Sequence, residues 1–382
     1  MVTTNEPDVT VTDVPMIKTR TYGNAGKIAL IGAFPISTFL IGSFTKVEDA
    51  KSALLATGTT VPSECISYGC LDYIFSQGVQ SKGPEEVIIV NTNYGASSLS
   101  YTIDNGKLAK ALLVLSEEDF DILTIADAVS LGSNTTLNTM WGTLYTFVQS
   151  QYRKQKPFGI ITAVDIDLTN TNGTTLVAAF KEMFEEKGIF KAVTTPAYLK
   201  GDESALSLAQ SGCWHAAYTA GRPVNKSETS KIYKDLQGVD TKSAFPISET
   251  SGVVDWEHLL DNGFHTTKFH NRRSQIIKCI NNWTPAGYDM KVERVKNYMI
   301  KRLQFTDVFG EDNNEPTLDF VKGLFEYEKE LALKNNYVTA MGYEITHCSQ
   351  DCILAKLFLQ IPDVVRHVRL EVSLEITPYE EA

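Results

Sequence analysis

Lys27-Ile28-Ala29-Leu30-Ile31-Gly32 decides the fold class. Its apolar run, closed by Gly32, is too short for a core helix and suits a strand buried on both faces. The same texture returns at Val87-Ile88-Ile89-Val90-Asn91, at 121–125 and at 158–164. Between these runs the apolar spacing lengthens to that of helices. Residues 46–56 predict a helix, with Thr45 as the cap and Glu48 three residues on. Residues 68–77 and 107–115 predict two more. Leu137, Trp141, Leu144, Tyr145, Val148 and Tyr152 fall at helical spacing and stop before Pro157, and 176–187 predicts a further helix closed by Gly188. Short apolar strands alternating with helices predict a layered α/β domain over residues 23–245.

Around that unit the character changes. Residues 238–252 are polar and read as a linker. Residues 246–362 read as α+β: a helix at 255–262, strand-like sequence at 266–280, helices at 290–303 and 316–334, and strand-like sequence at 337–346. Pro316 stands in the first turn of its helix, where a missing N–H is harmless. Residues 1–22 form a polar arm with a short alternation at Val9, Val11 and Val14, stopped by Pro15. Residues 363–382 form a second arm. There Val368, Leu370, Val372, Leu374 and Ile376 alternate with Arg369, Glu371, Ser373, Glu375 and Thr377, up to Pro378. A strand with one apolar face and unpaired backbone must join a sheet, its own or a neighbouring subunit's.

The chain has 382 residues, 43% hydrophobic and 21% charged, with a net charge of −11. This is an ordinary globular composition and excludes a collagen-like or mainly disordered protein. The acidic balance argues against general affinity for nucleic acid or anionic lipid. The uncharged stretch between Lys27 and Lys46 is broken by Gly32, Pro35, Ser37, Thr38 and Gly42, so no membrane helix is expected there. The first fifteen residues carry Glu6, Asp8 and Asp13 and lack the apolar centre of a signal peptide. Six cysteines in a chain this long make no disulfide framework and read as free thiols in a reducing compartment.

Signals for chemistry are sparse. Gly23-Asn24-Ala25-Gly26-Lys27 lacks the glycine spacing of a phosphate loop and precedes its strand instead of following it. Asp165 and Asp167, at a predicted strand end, are the best carboxylate pair, and support the alternative of an α/β enzyme. Thr169, Asn170, Asn172 and Gly173 follow at once and favour a solvated turn. His347, Cys348, Asp351 and Cys352 cluster metal-ligand types, but a structural zinc site needs a second pair. Cys213 and His215 lie two apart, so on a helix they face different directions. No catalytic, cofactor or metal residue is assigned. On the helix at 290–303, Val292, Val295, Met299 and Leu303 share one stripe, and Lys291, Arg294, Lys301 and Arg302 lie beside it. Such a basic stripe is either a solvated face or a surface for an acidic partner.

In order and character the chain resembles the tail sheath proteins of contractile phages and phage-tail-like particles. The resemblance runs from the polar arm before residues 26–35, through the helix with Val47 and Ala50, to residues 68–77 and the strand Glu86-Val87-Ile88-Ile89-Val90. It continues with a helix ending in Asn262-Gly263 before a strand pair, with Tyr298-Met299-Ile300-Lys301-Arg302, and with the terminal strand before Pro378. Asn282-Trp283-Thr284 stands where the family carries a longer tryptophan motif. The resemblance implies a structural subunit without catalytic activity or cofactor. It implies hexameric rings stacked into a helical sleeve around an inner tube, which contracts to drive that tube through a cell envelope. Residues 23–245 would face outward and 246–362 inward, with Lys291, Arg294, Lys301 and Arg302 toward the tube. The arms, through Val9, Val11 and Val14 and through Val368 to Ile376, would complete sheets in adjacent copies. The implied partners are the inner tail tube protein and the baseplate and tail terminator proteins, with no nucleic acid and no membrane insertion. The implied location is a virion tail or phage-tail-like particle assembled in the host cytoplasm.

Overall fold

Seven strands form the central sheet of the computed structural model, which describes residues 26–362 apart from 57, 187, 201–204, 272–274, 282, 304–314 and 350–351. The expected arm strands, at Val9 to Val14 and Val368 to Ile376, lie outside the described residues. In chain order the first half runs β1 (Lys27–Gly32), β2 (Ile41–Phe44), α1 (Val47–Ala53), α2 (Ile66–Gly69), α3 (Leu71–Ile74), β3 (Glu86–Asn91) and α4 (Asn105–Val114). It continues through β4 (Ile122–Ile125), β5 (Ala128–Ser130), β6 (Gly132–Ser133), β7 (Thr136–Leu137), α5 (Thr139–Arg153), β8 (Gly159–Asp165), α6 (Gly173–Phe184) and β9 (Ile189–Val193). The sheet order is β2-β3-β1-β4-β8, with β5 and β9 both paired to β8. All pairs are parallel except β2 with β3. Taken by themselves the parallel strands follow a doubly wound order, with the direction of winding reversed between β1 and β4.

The apolar runs are continuous because both faces of this sheet are covered. Along β1, Ala29 and Ile31 face the core built with α4, α5 and α6, while Ile28 and Leu30 face the core built with α1, α3 and α7. Trp141 of α5 anchors the first core, its ring edge-on to Phe180 at 5.0 Å and its indole N–H donating to the Ser130 carbonyl at 3.0 Å.

The second half runs β10 (Ala197–Leu199), α7 (Leu208–Ala220), β11 (Ile232–Gly238), α8 (Thr241–Ala244), α9 (Trp256–Asp261), β12 (Thr266–Asn271), β13 (Ile276–Asn281), α10 (Met290–Arg302), α11 (Glu315–Lys334), β14 (Ala340–Ser349) and β15 (Cys352–Gln360). Helix α7 begins at a capping box of Ser207 and Gln210 and is buried all round. One side, with Cys213 and Ala216, packs on the central sheet; the other, with Trp214 and Tyr218, packs on a second sheet ordered β10-β11-β13-β12. Gly212 makes the first contact possible, since a Cβ there would lie 2.8 Å from the Ala163 nitrogen. A third core joins α10, α11 and the β14–β15 ribbon. No helix among the described residues is long and apolar enough to cross a membrane.

Several expectations are corrected. Residues 238–252 are no linker: they include α8, and Thr241 and Phe245 are buried. The boundary at 245/246 falls inside continuous packing, because β11 pairs with β13 and Phe245, Val254, Leu259 and Phe264 enter the first core. Helix α1 is capped at Lys46 with no side-chain bond, so Thr45 and Glu48 form no capping box. Residues 68–77 are helical only as far as Ile74, in two short helices that meet at Cys70, with Ser67 bonded to the Ala33 N–H just after β1 and Leu71 and Ile74 in the core.

Candidate functional site

The crevice at the reversal of winding, where open α/β sheets take their ligands, is filled by the chain itself. Ser67 Oγ accepts from the Ala33 N–H at 2.9 Å and donates to the Ala126 carbonyl at 3.1 Å, bridging the ends of β1 and β4. Phe34 is fully buried beside it and Cys65 Sγ contacts the Ala33 carbonyl at 3.3 Å. Asn91 ties the loop after β1, accepting from the Phe34 N–H at 3.0 Å and donating to the Phe39 carbonyl at 3.2 Å. Asp165 is exposed at the end of β8, and Asp167 spends its carboxylate on its own turn. Its Oδ1 accepts from the Thr169 N–H at 2.8 Å and hydroxyl at 2.7 Å, bonds that lower its pKa. Of the ligand-type cluster, Asp351 and the side chains of His347, Cys348 and Cys352 lie outside the described residues. Gly26 and Lys27 form a plain strand entry, with Lys27 paired to Glu86 at 2.7 Å.

Helix α10 gathers the interactions that the basic-stripe expectation concerns. Asp289 caps it, accepting from the Lys291 N–H at 2.9 Å and from the Ser227 hydroxyl at 2.6 Å. Arg294 is buried, donating to the Arg222 and Pro223 carbonyls at 3.0 and 3.5 Å, and burial lowers its pKa to about 10. Lys301, 9% exposed, donates to Asp119 Oδ1 at 2.7 Å, Asp121 Oδ1 at 3.1 Å and the Phe120 carbonyl at 2.6 Å. Arg302 grips Glu328 of α11 with two bonds, of 3.1 and 2.6 Å. Three of the four stripe residues are thus ties from α10 to the central sheet, to the segment after α7 and to α11. Lys291 is half-buried at the start of the helix.

Beside α11 lies the feature best suited to contact with another chain. β14 and β15 pair only with each other among the described residues, from Ala340↔Gln360 to Ser349↔Cys352. The base is closed by the Thr339 N–H donating to the Gln360 carbonyl at 2.7 Å, and Tyr343 donates to Glu326 of α11 at 2.7 Å. Tyr343, Ile345, Ala355, Leu357 and Leu359 pack toward the third core, whereas Phe358 is 51% exposed. Two outer strand edges therefore carry backbone donors and acceptors with no strand beside them among the described residues.

A buried polar seam joins the two main sheets, and sequence reading missed it. Lys191 of β9 donates to Glu228 Oε2 at 2.7 Å with both side chains fully buried. Thr219 of α7 donates to Glu228 Oε1 at 2.7 Å and Tyr233 of β11 to Oε2 at 3.0 Å. Burial by itself would raise the Glu228 carboxyl, but the Lys191 charge and these bonds outweigh it and carry the pKa down to about 2. His215 and His265 meet at 4.6 Å between ring centroids. Burial first, then the Lys191 charge, holds both well below the ordinary histidine pKa. Burial pushes the Cys279 thiol up to about 12. The one legible signal was Lys191 inside an apolar strand; its partner lies 37 residues away.

No family model and no curated protein matches this chain. Solved structures do. The sheath tail protein of Listeria innocua superposes with a TM-score of 0.56 at 12% identity, over 87% of this chain and 95% of that one. The sheath tail protein of Desulfitobacterium hafniense gives 0.55 at 10% identity, over 88% and 97%. A chain of the anti-feeding prophage baseplate in its contracted state gives 0.56 at 13% identity, over 98% and 99%. This chain therefore shares the fold of the solved tail sheath proteins.

Proposed function

We propose that this chain is a structural subunit of a contractile tail sheath. Copies form hexameric rings stacked as a helical sleeve around an inner tail tube protein, with baseplate and tail terminator proteins at the two ends. The observation that carries this reading is the sheath fold matched over nearly the full length of both chains. The β14–β15 ribbon supports it. One face of the ribbon packs on α10 and α11, its outer edges have no strand beside them among the described residues, and the chain owns two segments of strand period to supply one. In this reading Val368, Leu370, Val372, Leu374 and Ile376, with Val9, Val11 and Val14, add to ribbons of neighbouring copies.

Contraction is then rigid-body movement of subunits on their arms, released from a kinetically trapped extended sleeve and driving the tube through a cell envelope. The driving energy comes from new contacts between subunits, so the filled crevice of the central sheet is no obstacle. The part built on the central sheet faces outward, and the part built on α10, α11 and the β14–β15 ribbon faces inward. Of the expected tube-facing residues, Lys291 is the one whose charge has no partner among the described residues, and it carries the contact with the tube. The place of action is a virion tail or phage-tail-like particle, assembled in the host cytoplasm. Negative-stain microscopy of the full chain expressed with its tube protein tests the reading. Regular sleeves or rings are expected; dispersed single particles under all salt conditions would overturn it.

A further inference from the structure

On the paired strands β12 and β13, Lys268 and Lys278 stand directly opposite each other. Side chains at paired positions share one face of a sheet, where two like charges repel. Neither lysine has a carboxylate partner among the described residues. Lys181 of α6 reaches the same place, donating to the Asp261 carbonyl at 3.4 Å. With Trp283 and Asn281 these lysines line a groove of about 580 Å³, in which Asp261 is the sole acid among the lining residues. Three cations converge in a chain whose net charge is −11. An anionic group at this groove relieves the repulsion between the two opposed lysines.

We propose that the groove binds the acidic segment after Pro378 of a second copy of this chain, residues 379–381, with Glu380 and Glu381 paired to Lys268 and Lys278. The sequence there reads Glu375-Ile376-Thr377-Pro378-Tyr379-Glu380-Glu381, with no cation and with two adjacent carboxylates after Pro378. Pro378 cannot donate to a strand ladder, so the residues after it leave the sheet that the preceding strand joins. From Pro362, the last described residue, the extended chain reaches on the order of 60 Å by residue 380, at about 3.3 Å per residue. That is far enough to cross onto an adjacent subunit. The proposal rests on the multi-copy assembly above and adds a second, electrostatic latch to strand addition.

Zero-length carbodiimide cross-linking of the full chain tests it. Nitrogen-15-labelled and unlabelled protein are mixed, assembled and analysed by mass spectrometry. Cross-links between Lys268 or Lys278 and Glu380 or Glu381 are expected, including pairs of mixed isotope. Lys268→Glu with Lys278→Glu removes the reactive amines and abolishes these cross-links whatever the contact, so the deciding variant adds Glu380→Lys with Glu381→Lys, which should restore cross-links at the same four positions with the charges exchanged. Should the double reversal fail to fold, Lys278→Gln alone should still lower the yield of the cross-links that form at Lys268, whose own amine is kept. Assembled particles without these cross-links, or with same-isotope pairs alone, would overturn the proposal. Microscopy scores the sheath reading separately: sleeves lacking the cross-links sink the latch and leave the sheath standing.

Discussion

Lys191 lies in the middle of Ile189–Val193, a strand buried from end to end. An unpaired ammonium there would be untenable, and a charge pair is tolerated only with its hydrogen bonds satisfied. Glu228, Thr219 and Tyr233 meet that condition at the seam between the sheets. The two histidines have consequences for pH. His215 and His265 face Lys191, Glu228, Tyr233 and Cys279, and stay neutral in the fold. Their unfolded pKa is about 6.5, so below that value the unfolded chain binds more protons than the folded one. Stability is therefore complete above about pH 6.5 and falls as the pH drops toward the folded pKa values. The slope approaches roughly 2.7 kcal/mol per pH unit for two such groups. Urea denaturation between pH 7.5 and 5 should show the midpoint falling steeply below pH 6.5. His265→Asn should flatten that dependence, since one titrating group is gone.

At the scale of elements, α10 is a strut whose cations hold the chain to itself. Lys301→Met removes a group that three acceptors share and leaves Asp121 and the Phe120 carbonyl short of a donor. We expect a loss of about 1–3 kcal/mol. Lys291→Glu touches none of these ties and should stay within about 0.5 kcal/mol of the parent, while weakening co-sedimentation with the tube protein. Chemical denaturation of the two variants separates strut from surface. The contrast also shows what the sequence could reveal. Apolar runs such as Ile28 to Ile31 and Val87 to Val90, and the stripe of α5, report burial directly, because their periods are set by local geometry. Helix α10 was legible in the same way, and so were Val295, Met299 and Leu303 of the apolar stripe that seats it, while Val292 stays half-buried outside that core. The use of Lys301 was not, since its partners Asp119 and Asp121 stand 182 and 180 residues earlier. The polar stretch 238–252 misled for a related reason: Thr241 and Phe245 are buried by tertiary contacts, not by a local pattern.

For the whole molecule, two sheets clamp α7 and share one continuous body, with the ribbon β14–β15 at the side of α11 and its two outer edges bare among the described residues. A body tied across its length by Lys191, Lys301 and Arg302 suits a subunit that moves rigidly, with change confined to the arms. The direct measurement of that account is microscopy with sedimentation of the chain cut after Asp363, beside the full chain. The account predicts that the cut protein keeps its fold and sediments as a monomer, while the full chain forms sleeves. Sleeves of normal length from the cut protein would contradict it.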